Sequence, residues 1–577
     1  MIVRNIIGSM VLAIVFVVVG LFALKKTSVL PSQFTLLIHP EGTLVEMVSI
    51  PTLEEVIKSS QHGQIPVAHL VEMLKQATND DRVTQVILDM SDLIIDSWGS
   101  VAELYAALKI FKAGDKPLHV FSHDYNNVTY LLASIADSIW LDSFGEVDIN
   151  GFRISQLYFK EAFDKYGIEP HYVRAGMYKS ALEPLTASHM SEASREMYTD
   201  LIESSWRYYR SQVATNRGVS ESFIDEYSHN WVSLFARQSQ QSAALLAQEQ
   251  GLVHKIGSMQ DLFREVVPTI KIDSFMSLED NADLLVDGIS YMSGHSYAKN
   301  KKSHKSATIG LIHANGEIRQ GFSSPGVLGS KTLIAAIEQA VNNDVSALVI
   351  RMDSPGGDAY ASEEVYRVMM NVRKNKGIPI VMSVGSTAAS GAYWIGLAAD
   401  KIVATELSLT GSIGVFTFML SAHDLSREWG ITSDSVATHS RKMGGTIADR
   451  ISPELLLMHQ TSVNFIYNNF LDRVVVAQRA TNRAEADKLA QGRVYGGQEA
   501  FERGLVDELG TLADAFELAA HLAKLEEWQI HYYEPTLSMA DRLMALVVTQ
   551  PTSSIGYIMS YWEKQSQAQA IDLTKLS

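Results

Sequence analysis

A serine set between a strand and a glycine-led helix start can serve as a nucleophile, and Ser386-Thr387-Ala388-Ala389-Ser390-Gly391-Ala392-Tyr393-Trp394 has that form. It follows an apolar run, Ile378 to Val384, that reads as a strand, and Gly391 to Ala399 continues with small residues and then helical apolar spacing. Ser390 is therefore expected at a helix N-terminus, where unpaired N–H groups and the helix dipole favour negative charge developing beside the hydroxyl. A lone serine at such a place reads first as an N-cap, so its companions decide. Asp353-Ser354-Pro355-Gly356-Gly357-Asp358 follows the apolar strand Ala347 to Met352. Paired glycines there let main-chain N–H groups come close to a ligand and could build half an oxyanion hole, although Pro-Gly-Gly alone is an ordinary turn signal. Leu409-Thr410-Gly411-Ser412-Ile413-Gly414-Val415-Phe416 adds a second glycine-flanked serine after the strand Ile402 to Ala404.

The elements that carry these residues occur twice. Leu36-Leu37-Ile38-His39 pairs with Gly310-Leu311-Ile312-His313, and Val86 to Met90 pairs with Leu348 to Met352. Tyr130 to Ile139 pairs with Tyr393 to Ile402, each with an Ala-Asp step, and Gly251-Leu252-Val253 pairs with Gly504-Leu505-Val506. Ala214-Thr215-Asn216-Arg217 recurs as Ala480 to Arg483. Two homologous halves are the simplest account. The expected organisation is an N-terminal segment 1–26, a first repeat 34–286, an exposed Ser-, Lys- and His-rich linker 287–306, a second repeat 307–525 and a C-terminal extension 526–577. In each half short apolar strands alternate with amphipathic helices such as Glu363 to Lys374. This predicts an α/β fold with parallel strands, compatible with a spiral of ββα units. Aligning Tyr130 with Tyr393 sets Asn127 opposite Ser390, so the first half lacks a nucleophile, and sets Lys442 opposite Lys179.

The order Ser-Pro-Gly-Gly, then Ala-Ala-Ser-Gly-x-Tyr-Trp, then Leu-Thr-Gly-Ser-Ile-Gly closely resembles the signal peptide peptidase family of the Clp-protease and crotonase fold. In the first half, Gly176-Met177-Tyr178-Lys179-Ser180-Ala181-Leu182-Glu183-Pro184 looks like the catalytic-lysine motif of that family's long, duplicated form. The resemblance implies a tandem Clp/crotonase-like superhelix and a serine-lysine endopeptidase with Ser390 as nucleophile and Lys179 as general base. It also implies that Ser412 orients the lysine and that backbone N–H groups of Gly356, Gly357 and Gly391 hold the oxyanion. Signal peptides and other hydrophobic peptides as substrates, a homotetramer, and a catalytic region on the periplasmic side of a bacterial inner membrane come from the same source. Lys442 is the rival base, because unduplicated members keep the lysine downstream of the serine. Its context, Ser440-Arg441-Lys442-Met443-Gly444, departs from the motif, and Lys179 is preferred. Glu183 is read as structural. A neutral lysine can activate a serine if its surroundings exclude water, which means lowering its pKa by about 2 to 3 from the usual ~10.4. Burial between the two repeats could do this, so neither half should cleave alone.

Composition narrows the field. The 577 residues carry a formal net charge of -17, which offers little to a phosphate backbone and makes nucleic acid an unexpected partner. With no cysteine, disulfides, thiol nucleophiles and thiolate metal sites are excluded. No His-Glu-x-x-His or Walker loop occurs, and no metal or cofactor is expected. Ser390 lacks a Gly-x-Ser-x-Gly elbow, and His39, His119, His123, His313 and His439 read as surface or core histidines. Ile6 to Leu24 is apolar apart from Gly8, Ser9 and Gly20, with Arg4 before it and Lys25-Lys26 after it, and no small-x-small cleavage site follows. It is read as a retained single-pass transmembrane anchor rather than a cleaved signal peptide. The alternative function from another class is a non-proteolytic scaffold or acyl-CoA-binding member of the crotonase fold.

Overall fold

Two parallel sheets with the same strand order organise the chain. The computed structural model describes residues 30–46, 63–267, 270, 281–296, 307–324, 326–436, 438–439 and 445–533. In the first half the spatial order is Lys255–Ile256, Ser138–Leu141, Leu118–Ser122, Val83–Asp89, Phe34–Ile38 and Leu285–Asp287. In the second it is Glu508–Leu509, Lys401–Ala404, Ile380–Ala389, Ala347–Ser354, Ala307–Asn315 and Trp528–Tyr532. The strand Leu409–Gly411 pairs further along Ile380–Ala389, and Val494–Gly496 runs antiparallel to it.

Both sheets are covered on both faces, which is why their strands read as continuous apolar runs. Successive residues alternate between the covers. Leu36, Val86 and Val120 enter the large core, while Leu37, Ile87 and Phe121 pack under the helix Met259–Val266. In the second half Ile350 and Met382 enter the large core, while Val349 and Val381 pack under the helix Leu512–Leu522. The equivalence reaches single hydrogen bonds. Tyr130 Oη donates to Leu252 O at 2.7 Å, as Tyr393 Oη donates to Leu505 O at 2.8 Å.

Several boundaries differ from the sequence reading. The strand Leu285–Asp287 straddles the expected end of the first repeat, the helix Gly288–Ser296 occupies the start of the expected linker, and Trp528–Tyr532 lies in the expected extension. Each of these strands returns beside the first strand of its half, a pairing between distant parts of the chain that local composition does not encode. The strand before Ser390 runs to Ala389 rather than ending near Val384. The helix expected at Glu363 to Lys374 spans Ala359–Asn371 and continues as a π-helical turn, Val372–Lys376. The Ala-Thr-Asn-Arg recurrence is not a structural equivalence. Arg217 ends a helix and donates to Gly251 O, the place Arg479 takes with Gly504 O, whereas Arg483 begins a helix.

The halves are joined by an antiparallel ribbon, Glu169–Ala175 against Val415–Ser421, with Arg174 opposite Phe416 and Ala175 opposite Val415. A buried ionic cluster adds to the joint. Arg351 of the second half pairs with Glu46 at 2.7 Å and Glu103 at 3.0 Å, both from the first half, and donates to Ser383 Oγ at 2.9 Å. Arg493 stacks on Tyr178 and pairs with Glu196 at 2.9 Å.

Candidate active site

The ribbon determines what can meet. Lys179 follows one ribbon strand by a few residues and Ser412 precedes the other, so pairing the strands delivers both to the end of Ile380–Ala389, where Ser390 lies. Lys179 Nζ stands 2.9 Å from Ser390 Oγ, 2.9 Å from Ser412 Oγ and 3.0 Å from Ser412 O. The lysine is buried, and among the described residues no carboxylate forms an ion pair with it. Burial without a counter-charge disfavours the ammonium and brings its pKa down to about 7.

Ser390 has φ 54° and ψ −118°, a conformation rare for a residue with a side chain. Its N–H donates to Gly411 O at 2.9 Å, and the helix Gly391–Gly396 begins directly after it. Its hydroxyl caps nothing in that helix and faces the lysine, so the simple N-cap reading fails. Ser412 also has a positive φ of 51°, with its N–H donating to Arg493 O at 2.7 Å. The lysine's own backbone is pinned. Lys179 O accepts from Arg174 Nη1 at 2.9 Å and from Tyr172 Oη, and Arg174 also reaches Glu183 at 3.1 Å. Burial alone would raise the pKa of Glu183. Hydrogen bonds from Ser194, Ser191 and Arg174 instead hold it below the usual range, a structural role as the sequence suggested.

Gly356 and Gly357 have φ 105° and 147°. A Cβ on Gly356 would stand 2.7 Å from Gly391 N and from Ser390 Cβ, so glycine permits the loop to close on Ser390. The three glycines are not equivalent. The Gly356 N–H donates to Ser354 Oγ at 3.2 Å, whereas those of Gly357 and Gly391 have no acceptor among the described residues. The two lie close together, since a Cβ on Gly391 would be 3.2 Å from Gly357 N. These amides open on a cleft of about 1190 Å³ shared by both halves, with Leu157, Leu182, Leu185 and Leu201 from the first and Leu409, Phe416, Val463 and Phe470 from the second.

Sequence reasoning passed over two contributors. Gly492, φ 76°, lets the Lys179 backbone pass, and lying just beyond the helix Arg483–Leu489 it reads from sequence as an ordinary post-helix glycine. His459 lines the cleft from the helix Pro453–Val476 and carried no motif. Lys442 and the apolar segment Ile6 to Leu24 fall outside the described residues. Of the other histidines, His39 pairs with Asp89 at 2.9 Å and His313 has its pKa lowered to about 4, chiefly by burial. Asn127, opposite Ser390 in the repeat, is buried and donates to Asn150 Oδ1 at 3.0 Å and Gly151 O at 2.9 Å.

Residues 110–272 and 372–526 each match the family described as peptidase family S49. The chain belongs to peptidase family S49. The first match contains Lys179 and the second Ser390 and Ser412. Among curated S49 relatives, Protease 4 of Salmonella typhi is 34% identical over 476 residues, 82% of this chain and 75% of its own length. Protease 4 of Haemophilus influenzae is 30% identical over 509 residues, 86% and 80% respectively. The chloroplastic serine protease SPPA of Arabidopsis thaliana is 25% identical over 491 residues, 84% and 70%. Among solved structures, the 1510-N membrane protease of Pyrococcus horikoshii covers 42% of this chain and 100% of its own, at 14% identity and TM-score 0.26. As an S49 member with this duplicated domain the chain is a serine endopeptidase, and the alternative of a non-proteolytic scaffold or acyl-CoA-binding member falls away.

Proposed function

We propose that this serine endopeptidase works through a Ser390–Lys179 dyad assembled from both halves, and that it cleaves hydrophobic peptides, including signal peptides left in the membrane after their release. The observation that carries the reading is the 2.9 Å approach of a buried lysine amine, free of any ion pair among the described residues, to the hydroxyl of a serine held at positive φ. As Ser390 Oγ bonds to the scissile carbonyl carbon, its proton passes to the neutral Lys179 amine. The oxyanion that forms is received by the Gly357 and Gly391 N–H groups. When the C–N bond breaks, the Lys179 ammonium returns the proton to the departing amine. Water then attacks the acyl-serine with the same amine as base, and its collapse regenerates Ser390. Ser412, whose Oγ and backbone O both accept from the Lys179 amine, keeps that amine directed at Ser390.

The apolar lining of the cleft supports hydrophobic substrates, and the names of relatives such as the putative signal peptide peptidase SppA of Enterococcus faecium support signal peptides among them. The apolar Ile6 to Leu24 segment supports a single-pass anchor that holds the cleft near the membrane, on the periplasmic side of a bacterial inner membrane. No helix of the described residues is long and apolar enough to cross a membrane. A homotetramer belongs to the same reading through the family resemblance. The test is cleavage of a fluorogenic apolar peptide by detergent-solubilised wild type, Ser390→Ala, Lys179→Ala and Lys442→Ala at pH 7 to 9. The dyad requires the first two variants to be inactive and the third active; an inactive Lys442→Ala would move the base into the second half.

A further inference from the structure

The strand that ends in Ser390 does not run in plain register with its neighbour. Met352 pairs with Val384, but the next pair is Ser354 with Ala388, so Asp353 alone faces Gly385, Ser386 and Thr387. A bulge of this kind leaves amide hydrogens without ladder partners and re-aims the chain beyond it. Here the side chain of Asp353 fills the gap. Its Oδ1 accepts the Thr387 N–H at 3.0 Å, and the Ser386 N–H is a further donor to the same carboxylate. Gly385 makes the room, since a Cβ there would be 3.2 Å from Asp353 Cβ. One carboxylate thus ties the segment that leads to the nucleophile, three residues before Ser390, to the loop whose Gly357 amide faces the cleft.

We propose that ionised Asp353 is a positioning residue for the reaction, holding the Ser390 and Gly357 backbones in register through the bulge, so that its protonation switches catalysis off separately from protonation of Lys179. The proposal rests on the dyad reading above. Its surroundings make such a protonation accessible. Burial and the charge of Glu46, against the opposing charge of Arg351, raise the Asp353 pKa to about 7. Glu103 faces Arg351 rather than the bulge, and the nearby strand residue His313, with a pKa of about 4, stays neutral through this range. The strand Ile380–Ala389 brings no charged side chain. A protonated carboxyl is a weaker acceptor and carries a donor of its own, which the two amide hydrogens cannot satisfy.

The experiment is the pH dependence of kcat/KM from pH 5 to 8 for the full chain, with a fluorogenic apolar peptide blocked at both ends. Two independent protonations give a limiting slope of about 2 in the logarithmic plot below the shared pKa region, where Lys179 alone gives about 1. Asp353→Asn is expected to lower kcat at least about 10-fold and to reduce that slope to about 1, while Asp353→Glu keeps the steeper limb. A wild-type slope of about 1 overturns the proposal even if Asp353→Asn cannot be folded, as does an Asp353→Asn variant with unchanged kcat and limb. Failure of the dyad reads differently, as activity surviving in Lys179→Ala.

Discussion

Gly492 lies against the backbone of Lys179 so closely that a Cβ at 492 would stand 2.6 Å from Lys179 N and 2.7 Å from Lys179 Cβ. The contact joins residues from different halves, and the positive φ of 76° at Gly492 resists a side chain for a second reason. Gly492→Ala is therefore expected to push Lys179 away from Ser390. A displacement of about 1 Å can lower activity by roughly 100-fold, to be read as kcat/KM on an apolar peptide, with near-wild-type circular dichroism showing that the fold persists.

Burying an amine without a counter-charge lowers stability as well as pKa. The folded lysine titrates at about 7 against 10.5 in the unfolded chain, so the unfolded state binds the extra proton between those values and wild-type stability rises with pH across that interval. Below pH 7 the penalty is fully present. Lys179→Met, of similar size and expected to be inactive under the proposed dyad, should thus be more stable than wild type by up to about 4 kcal/mol at pH 7. The gain should vanish as pH approaches 10.5, as measured by urea unfolding at a series of pH values.

The same titration should be visible in the serine. A fluorophosphonate reagent should label Ser390 faster as pH rises through about 7, with the rate followed by intact mass. Ser412→Ala, which removes one partner of the amine, is expected to slow labelling about 10-fold.

Removing the central cation should be far more damaging than removing a surface charge. Arg351→Met leaves Glu46 and Glu103 buried without their partner, and a loss of about 3 to 5 kcal/mol is expected in chemical denaturation. Replacing Glu46 and Glu103 with Gln in the same chain should recover much of it.

The serine and lysine that meet, and the duplication, were legible because they reside in local strings: Ala-Ala-Ser-Gly, Tyr-Lys-Ser-Ala, and apolar runs that recur in order. What escaped was set by pairings between distant residues. The strands Leu285–Asp287 and Trp528–Tyr532 exist because each has a first strand to lie beside, and nothing within three to five residues announces that. The division of labour among Gly356, Gly357 and Gly391 depends on where Ser354 Oγ points. Asp353 reads as a turn residue until the bulge it fills is known. The Ala-Thr-Asn-Arg match misled for the converse reason, since identical strings fell on a helix end in one half and a helix start in the other.

The ribbon Glu169–Ala175 with Val415–Ser421 makes the two repeats complementary rather than redundant. The first copy has Asn127, sealed among Asn150 and Gly151, where the second has Ser390, and under the proposed dyad it contributes Lys179 instead. A mechanism shared in this way has a stoichiometry. However many chains assemble, a serine-directed reagent should titrate one serine per polypeptide, not two.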